Sequence, residues 1–150
     1  MITVRKGKRS DAEHIAKFQV RMAKETEQID LDRDIVDKGV NAVINKPEKG
    51  IYFVAESGNK IVASLMITFE WSDWRNGNVY WIQSVYVLPE FRKRSVFKTM
   101  YLYLKSIVQK DKNVRGLRLY VDKTNTNAQK VYETMGMDCN HYMLFEWMKN

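Results

Sequence analysis

The sequence predicts a mixed α/β fold built as one domain over residues 1–150, and three observations carry that prediction. Short β-branched and aromatic runs alternate with segments of helical periodicity, giving the order β-α-α-β-β-β-α-β-α-β. The leading half contains a hairpin signal, whereas the trailing half reads as a βαβ unit, so antiparallel and parallel pairing are both expected in one sheet. A chain of 150 residues with 45% hydrophobic content can bury a core, and its 2 prolines and 7 glycines leave no linker or low-complexity tract.

The elements follow in order. Ile2 to Val4 is a short strand. Ser10 and Glu13 fit a capping box at the start of a helix whose apolar stripe is Ile15, Phe18 and Met22. A second helix runs from about Asp32, with Ile35, Val36, Val40, Val43 and Ile44 inward, and Pro47 ends it. Ile51 to Ala55 and Ile61 to Phe69 are strands flanking the turn Ser57-Gly58-Asn59-Lys60, and Ile61, Ala63, Leu65, Ile67 and Phe69 share one face. Glu70 to Asn78 reads as a polar loop with two tryptophans, followed by a strand from Val79 to Val87. Ser95 to Gln109 is a long helix with Val96, Met100, Leu104, Ile107 and Val108 inward; Leu117 to Val121 is a strand. Ala128 to Met135 is a helix stopped by Gly136, and His141 to Met148 is a last strand.

Charge is unevenly placed. The chain carries +7 overall, yet Arg92 to Arg118 alone holds nine bases and one acid, while Lys24 to Lys38 holds six acids and three bases. A basic segment of this density points to a phosphate-bearing ligand, either a nucleotide cofactor or a nucleic acid, although a solvated helix face gives the same pattern. The single cysteine, Cys139, excludes an internal disulfide and suits a reducing compartment. His14 and His141 lack metal-ligand spacing, so no metal is expected. No apolar run reaches membrane-spanning length, and the N-terminus has no signal-peptide pattern, so the expected location is cytoplasmic.

The informative junction is a strand followed by Pro89-Glu-Phe-Arg92-Lys-Arg-Ser95-Val-Phe97-Lys98 and then a helix. A turn entering a helix leaves main-chain N–H groups unpaired at the positive end of the helix dipole, which makes an anion site. Arg92, Lys93, Arg94 and Lys98 add charge around it, and the site suits a pyrophosphate.

Here the chain resembles the GNAT superfamily of N-acetyltransferases. That family's phosphate turn reads Arg/Gln-x-x-Gly-x-Gly/Ala after a strand ending in Val-x-Pro; this chain has Val87-Leu88-Pro89 and then Arg92-Lys93-Arg94-Ser95-Val96-Phe97. A second signature, Asn followed seven residues later by Tyr and then Glu-x-x-Gly-Phe/Met, is matched by Asn125, Tyr132, Glu133, Gly136 and Met137. Both turn glycines are replaced, by Ser95 and Phe97. Serine keeps its N–H and costs about 1 kcal/mol if its φ is positive. Phe97 lies one step into the helix, where its φ is ordinary.

The resemblance implies a central mixed sheet of six to seven strands with helices on both faces. It implies that acetyl-CoA is the co-substrate and that an amine attacks its thioester directly through a tetrahedral intermediate. Main-chain groups at Val85 and Val87 then meet the oxyanion and the pantetheine, beside a bulge in that strand. Val87, Arg92, Lys93, Arg94, Ser95, Val96, Phe97, Lys98, Asn125 and Tyr132 bind the cofactor, and Tyr132 is the general acid for the departing thiolate. The base is less defined, because the family's strand glutamate is replaced by Trp81; Glu70 and Asp73 are the substitutes on offer. The acidic stretch Glu25 to Asp37 falls where the family binds the acceptor and favours a cationic amine, whether a small molecule or a protein. Trp71, Trp74 and Trp81 line that pocket or cover the core.

Two other readings stand beside this one. A domain of the same fold that binds without catalysing would explain the missing glycines. A nucleic-acid module would explain the basic segment, but interleaved exposed aromatics and the common recognition signatures are absent, so no nucleic acid and no membrane partner is expected. The terminal strand, with Phe145 and Trp147, suits pairing across a homodimer.

Overall fold

Backbone pairing in the computed structural model, which describes residues 1–150, joins five strands in the order β1 (Ile2–Lys6), β2 (Ile51–Ser57), β3 (Lys60–Ser72), β4 (Gly77–Val87) and β5 (Val114–Arg118). The first four are antiparallel to their neighbours and β5 is parallel to β4. The turn between β2 and β3 places Gly58 at φ 61°, the left-handed conformation that a tight hairpin requires. Helices α1 (Ala12–Glu27) and α2 (Arg33–Asn45) join β1 to β2, and α3 (Val96–Lys110) joins β4 to β5. The chain forms two compact units, Met1–Arg118 and Leu119–Asn150; the second contains α4 (Thr126–Thr134).

Strand alternation sorts the first unit into two faces. Tyr52 and Val54 pack with Ile15, Ala16 and Val40 of α1 and α2, and Met66 joins them from β3. Their ladder partners put Ser64, Tyr86, Gln83, Thr68, Trp81 and Glu70 on this same face, and the Phe18 and Tyr86 rings meet there at 5.2 Å. The opposite face carries Phe53, Ala63, Leu65 and Ile67, with Phe53 edge-on to Tyr103 of α3 at 5.9 Å. Val96, Met100, Tyr101 and Leu104 are the buried stripe of α3.

Several expectations need correction. The Ser10–Glu13 capping box does not form. Instead Asp11 accepts the Lys8 N–H at 2.6 Å and the Arg5 guanidinium at 2.8 and 3.0 Å, while Glu13 pairs with Lys17 and Arg33. A buried carboxylate with a guanidinium partner outcompetes an exposed serine cap. In α2 the cap is Asp32, whose carboxylate accepts from the Asp34 and Ile35 N–H groups; Ile35 is on the outer side, 68% exposed. The polar loop expected over Glu70–Asn78 is largely strand, because the ladder runs on through Glu70↔Val79, Trp71↔Asn78 and Ser72↔Gly77, leaving residues 73–76 as the turn. The fifth strand lies three residues earlier than expected, with Val114 buried and paired to Asn78.

The count of six to seven strands is also not reached. His141–Met148 forms no strand, so the sheet closes at five and the final β of the expected order is missing. No helix is long and apolar enough to cross a membrane.

Candidate functional site

Strand β4 is irregular at its centre. Ser64 pairs with Tyr86 and Met66 with Gln83, so Ser84 and Val85 together face one residue of β3. Ser84 has φ 54°, which makes this a bulge with a left-handed residue. Pairing of β4 to β5 ends at Trp81, so no strand flanks the outer edge of β4 from Ile82 to Val87. The main chain at Val85 and Val87, both half-buried, therefore lies on a strand edge that has left its neighbour. One of those groups is already in use: the Val87 carbonyl accepts the Arg92 Nε–H at 2.9 Å.

The chain then turns through a short 3-10 segment, Pro89–Phe91, and an extended Arg92. Lys93 has φ 61° and Ser95 has φ 59°, ψ 23°. Left-handed residues in close succession curl the main chain so that its N–H groups converge on an anion. α3 starts at Val96, its first helical bond runs from the Thr99 N–H to the Ser95 carbonyl at 3.0 Å, and no side chain caps it. The N–H groups of Val96, Phe97 and Lys98 thus precede the helical ladder at the positive end of a 15-residue helix. Lys93, Arg94, Ser95 and Lys98 are exposed around them. Arg94 lies over the Phe91 ring at 5.4 Å, and Lys60 covers the same ring at 5.4 Å. Phe97 is half-buried and packs on Tyr101 at 6.5 Å.

Arg92 is held by more than its carbonyl. Its guanidinium donates to Glu25 Oε2 at 2.6 Å and lies 5.4 Å from the Tyr86 ring, whose hydroxyl donates to the other Glu25 oxygen at 2.7 Å. The Arg92 hydrogen bond holds the Glu25 carboxyl below its ordinary range, with help from Tyr86, while burial pushes the Tyr86 phenol up. This triangle ties the end of α1 to the turn.

On the same face of the sheet, Glu70 accepts from the Trp81 indole at 2.7 Å and from Arg118 at 2.8 Å. These two donors, Trp81 first, lower its pKa. Gln83 donates to the Thr68 hydroxyl. Asp73 lies in the hairpin turn and accepts the Trp74 N–H at 3.0 Å. Trp71 and Trp74 are 62% and 88% exposed. Three acids of the acidic stretch are spent in ion pairs within the chain, Glu25 with Arg92, Asp30 with Lys24 and Asp37 with Arg33.

In the second unit, Asn125 caps α4 by accepting the Ala128 N–H at 3.1 Å. Gly136 follows the helix at φ 86°. Its N–H reaches the Glu133 carbonyl at 3.0 Å and the Met137 N–H reaches the Tyr132 carbonyl at 3.1 Å, the paired bonds of a Schellman stop. The motif residues Asn125 and Gly136 therefore fix both ends of a helix with Tyr132 in its last turn. Tyr132 is half-buried, and burial raises its phenol pKa.

The structure gathers Val85, Val87 and Arg92 to Lys98 on one strand–turn–helix unit, while Asn125 and Tyr132 share α4. Sequence reasoning missed Lys93 as a left-handed residue, the bulge residue Ser84, and the link from Glu25 to Arg92 and Tyr86. No sequence signal marked them, since lysine and serine seldom take positive φ.

A family model described as the acetyltransferase (GNAT) family matches residues 12–137. No curated protein matches the chain. Among solved structures, a possible acetyltransferase from Clostridium difficile 630 is 45% identical, with TM-score 0.92 over 100% of this chain and 99% of that one. A predicted acetyltransferase from Clostridium acetobutylicum, solved with acetyl-CoA, is 19% identical, with TM-score 0.75 over 97% and 96%. The aminoglycoside N-acetyltransferase AAC(6')-Iy in complex with CoA is 17% identical, with TM-score 0.79 over 100% and 96%; these last two are likenesses of fold.

Proposed function

Because the chain belongs to the acetyltransferase (GNAT) family, we propose that it transfers an acetyl group from acetyl-CoA to a primary amine of a small molecule or a protein. The observation that carries this reading is the turn from Arg92 to Ser95, with two left-handed residues opening an uncapped α3 at the end of a bulged strand. The donor set fits a diphosphate: main-chain N–H groups of Ser95 to Lys98 meet the oxygens, and Lys93, Arg94 and Lys98 supply charge. Arg92 adds charge from a position braced by Glu25. The left-handed Ser95 supports a working cofactor turn over a fold that has lost its ligand, because the glycine geometry is kept without glycine. The family match crosses from the first unit into the second, which supports reading residues 1–150 as one acetyltransferase domain.

Acetyl-CoA supplies a thioester carbonyl that an amine attacks directly. Main-chain groups of Val85 and Val87, on the edge that β4 presents past Trp81, receive the pantetheine and the developing oxyanion, with Arg92 holding the Val87 carbonyl until the cofactor enters. As the C–S bond breaks, the Tyr132 hydroxyl gives its proton to the sulfur. The raised Tyr132 pKa keeps that proton in place at neutral pH. The amine must shed a proton before attack, and Glu70 and Asp73 are the carboxylates offered to it, through water. The Trp81 and Arg118 hydrogen bonds lower the Glu70 pKa, which makes Glu70 a poorer proton acceptor than a free glutamate.

A thermal-shift comparison of acetyl-CoA, CoA and an unrelated polyanion tests the turn, and thiol release with a panel of amines tests catalysis. Upshifts confined to the two CoA species, with thiol release for some amine, are the expected result. Equal upshifts with the polyanion, or none with CoA at millimolar concentration, rule the assignment out.

A further inference from the structure

We propose that Glu25 is a positioning residue of the cofactor site: acting through Arg92, it closes off the Val87 carbonyl in the empty protein and so sets how tightly CoA binds. The inference rests on the acetyltransferase reading and concerns the same strand edge. The Leu88 N–H bonds inward to the Val62 carbonyl at 2.9 Å, so the preceding Val87 carbonyl points outward, along the stretch of β4 that β5 does not cover. Its partner there is the Arg92 Nε–H at 2.9 Å. An amide N–H of the pantetheine arm needs that same oxygen. Arg92 and the cofactor therefore compete for one acceptor.

Held by the carbonyl alone, a long exposed side chain would give up rotamer freedom for a single hydrogen bond. Glu25 supplies the second hold. The Arg92 Nη2 donates to Glu25 Oε2 at 2.6 Å while Nε stays on Val87, and the Tyr86 hydroxyl fixes Glu25 Oε1 at 2.7 Å. Tyr86 is itself buried and packed on Phe18, and its ring lies 5.4 Å from the guanidinium. The carboxylate is thus aimed by a rigid neighbour, and it aims Arg92 in turn.

Glu25 also sits where its own helix disfavours it. It lies in the last turn of α1, and a helix C-terminus carries partial negative charge. Arg92 offsets that repulsion in the closed arrangement. When the guanidinium turns to the cofactor diphosphate, Glu25 keeps the Tyr86 hydroxyl and the nearby charge of Arg21, one turn earlier on α1. The open arrangement leaves no bare carboxylate, and the Arg92–Glu25 pair is partly exposed, so the two arrangements differ little in free energy. CoA binds only the open one, and its apparent affinity is reduced by the fraction of chains that are closed.

Calorimetric titration of the full chain with CoA tests this, using Glu25→Gln and Glu25→Asp beside the native protein. Glutamine removes the charge. Aspartate keeps the charge but draws the carboxylate back by one methylene, too far to reach both Arg92 and Tyr86. Each variant is expected to bind CoA about three-fold more tightly, a gain of the size an exposed ion pair allows. A Glu25 that merely supported the fold would give a loss instead. In an Arg92→Ala background neither substitution is expected to change CoA affinity, because the residue through which Glu25 acts is gone. Glu25→Asp is the milder change and carries the test if the glutamine variant loses its fold. Unchanged or weaker binding in both variants, tightening in Glu25→Gln alone, or tightening that persists with Arg92→Ala overturns the proposal and leaves the acetyltransferase reading standing. No CoA binding by any of these proteins at millimolar concentration overturns both.

Discussion

Ser95 stands where the family turn has glycine, and the chain holds it at φ 59° regardless. A left-handed L-residue costs about 1–2 kcal/mol, while a glycine there gives back roughly 0.5–1 kcal/mol through the freedom it adds to the unfolded chain. The first effect wins narrowly, so Ser95→Gly is expected to raise stability by about 0.5 kcal/mol in a denaturant titration and to leave CoA binding intact. Weaker CoA binding by that variant would show that the hydroxyl, and not the curl of the main chain, holds the phosphate. Tyr132 makes a second residue-scale prediction. Removing only its hydroxyl, Tyr132→Phe, is expected to keep the CoA thermal upshift and to slow thiol release at least tenfold. An unchanged rate removes Tyr132 from the chemistry. These two residues were legible because their positions lie in motifs. Ser84 and Lys93 share the positive φ of Ser95 but follow no pattern that a single sequence displays. Their conformations come from the bulge and the turn around them.

At the scale of elements, the β4–turn–α3 unit joins two kinds of positive charge. Arg92 is committed to Glu25 and to the Val87 carbonyl, whereas Lys93 is an exposed base on the curl itself. Charge reversal should separate them. Lys93→Glu is expected to weaken CoA binding about tenfold at low ionic strength and markedly less at 1 M salt, where the Debye length is near 3 Å, with no loss of thermal stability. Arg92→Glu sets a second carboxylate against Glu25 and is expected to lower the melting temperature as well. Equal loss of binding at both salts in Lys93→Glu would mean a disturbed turn instead of a lost charge. The helices were readable because their ends carry local chemistry: Asp32 caps α2, Pro47 follows it, and Gly136 stops α4. The strands were less readable where pairing overrode polarity. Glu70 and Ser72 look like loop residues, yet the hairpin with Gly77 to Val79 keeps them in the ladder. The tail of the chain failed in the opposite sense, since Met143–Met148 has strand composition and forms no strand in the single chain.

For the molecule as a whole, the carboxylates set how the fold answers acid. Asp11 is the most consequential. Burial pushes its pKa up, but the Arg5 guanidinium and the Lys8 N–H together outweigh that and leave it lowered. Its side chain is 5% exposed and Arg5 also bridges to Glu56, so this group clamps β1, β2 and the start of α1 together. Glu13, Glu25, Glu70 and Glu90 are lowered too, from more exposed positions where solvent screens the effect. A carboxyl whose folded pKa is below its unfolded value binds its proton more readily when unfolded. Its stabilisation is therefore complete above the unfolded value near pH 4 and disappears as pH falls through the lower folded value. The melting temperature is expected to stay nearly flat from pH 7 to pH 5 and then to drop steeply below pH 4. Asp11→Asn removes one of the two carboxylates that Arg5 bridges, leaving Glu56 as its ionic partner, and is expected to cost about 1–3 kcal/mol at pH 7. Because that variant has already lost the titrating group, its melting temperature should fall less between pH 5 and pH 3 than that of the native chain. Parallel acid slopes in the two proteins would mean that Asp11 is not the carboxylate through which acid unfolds this sheet.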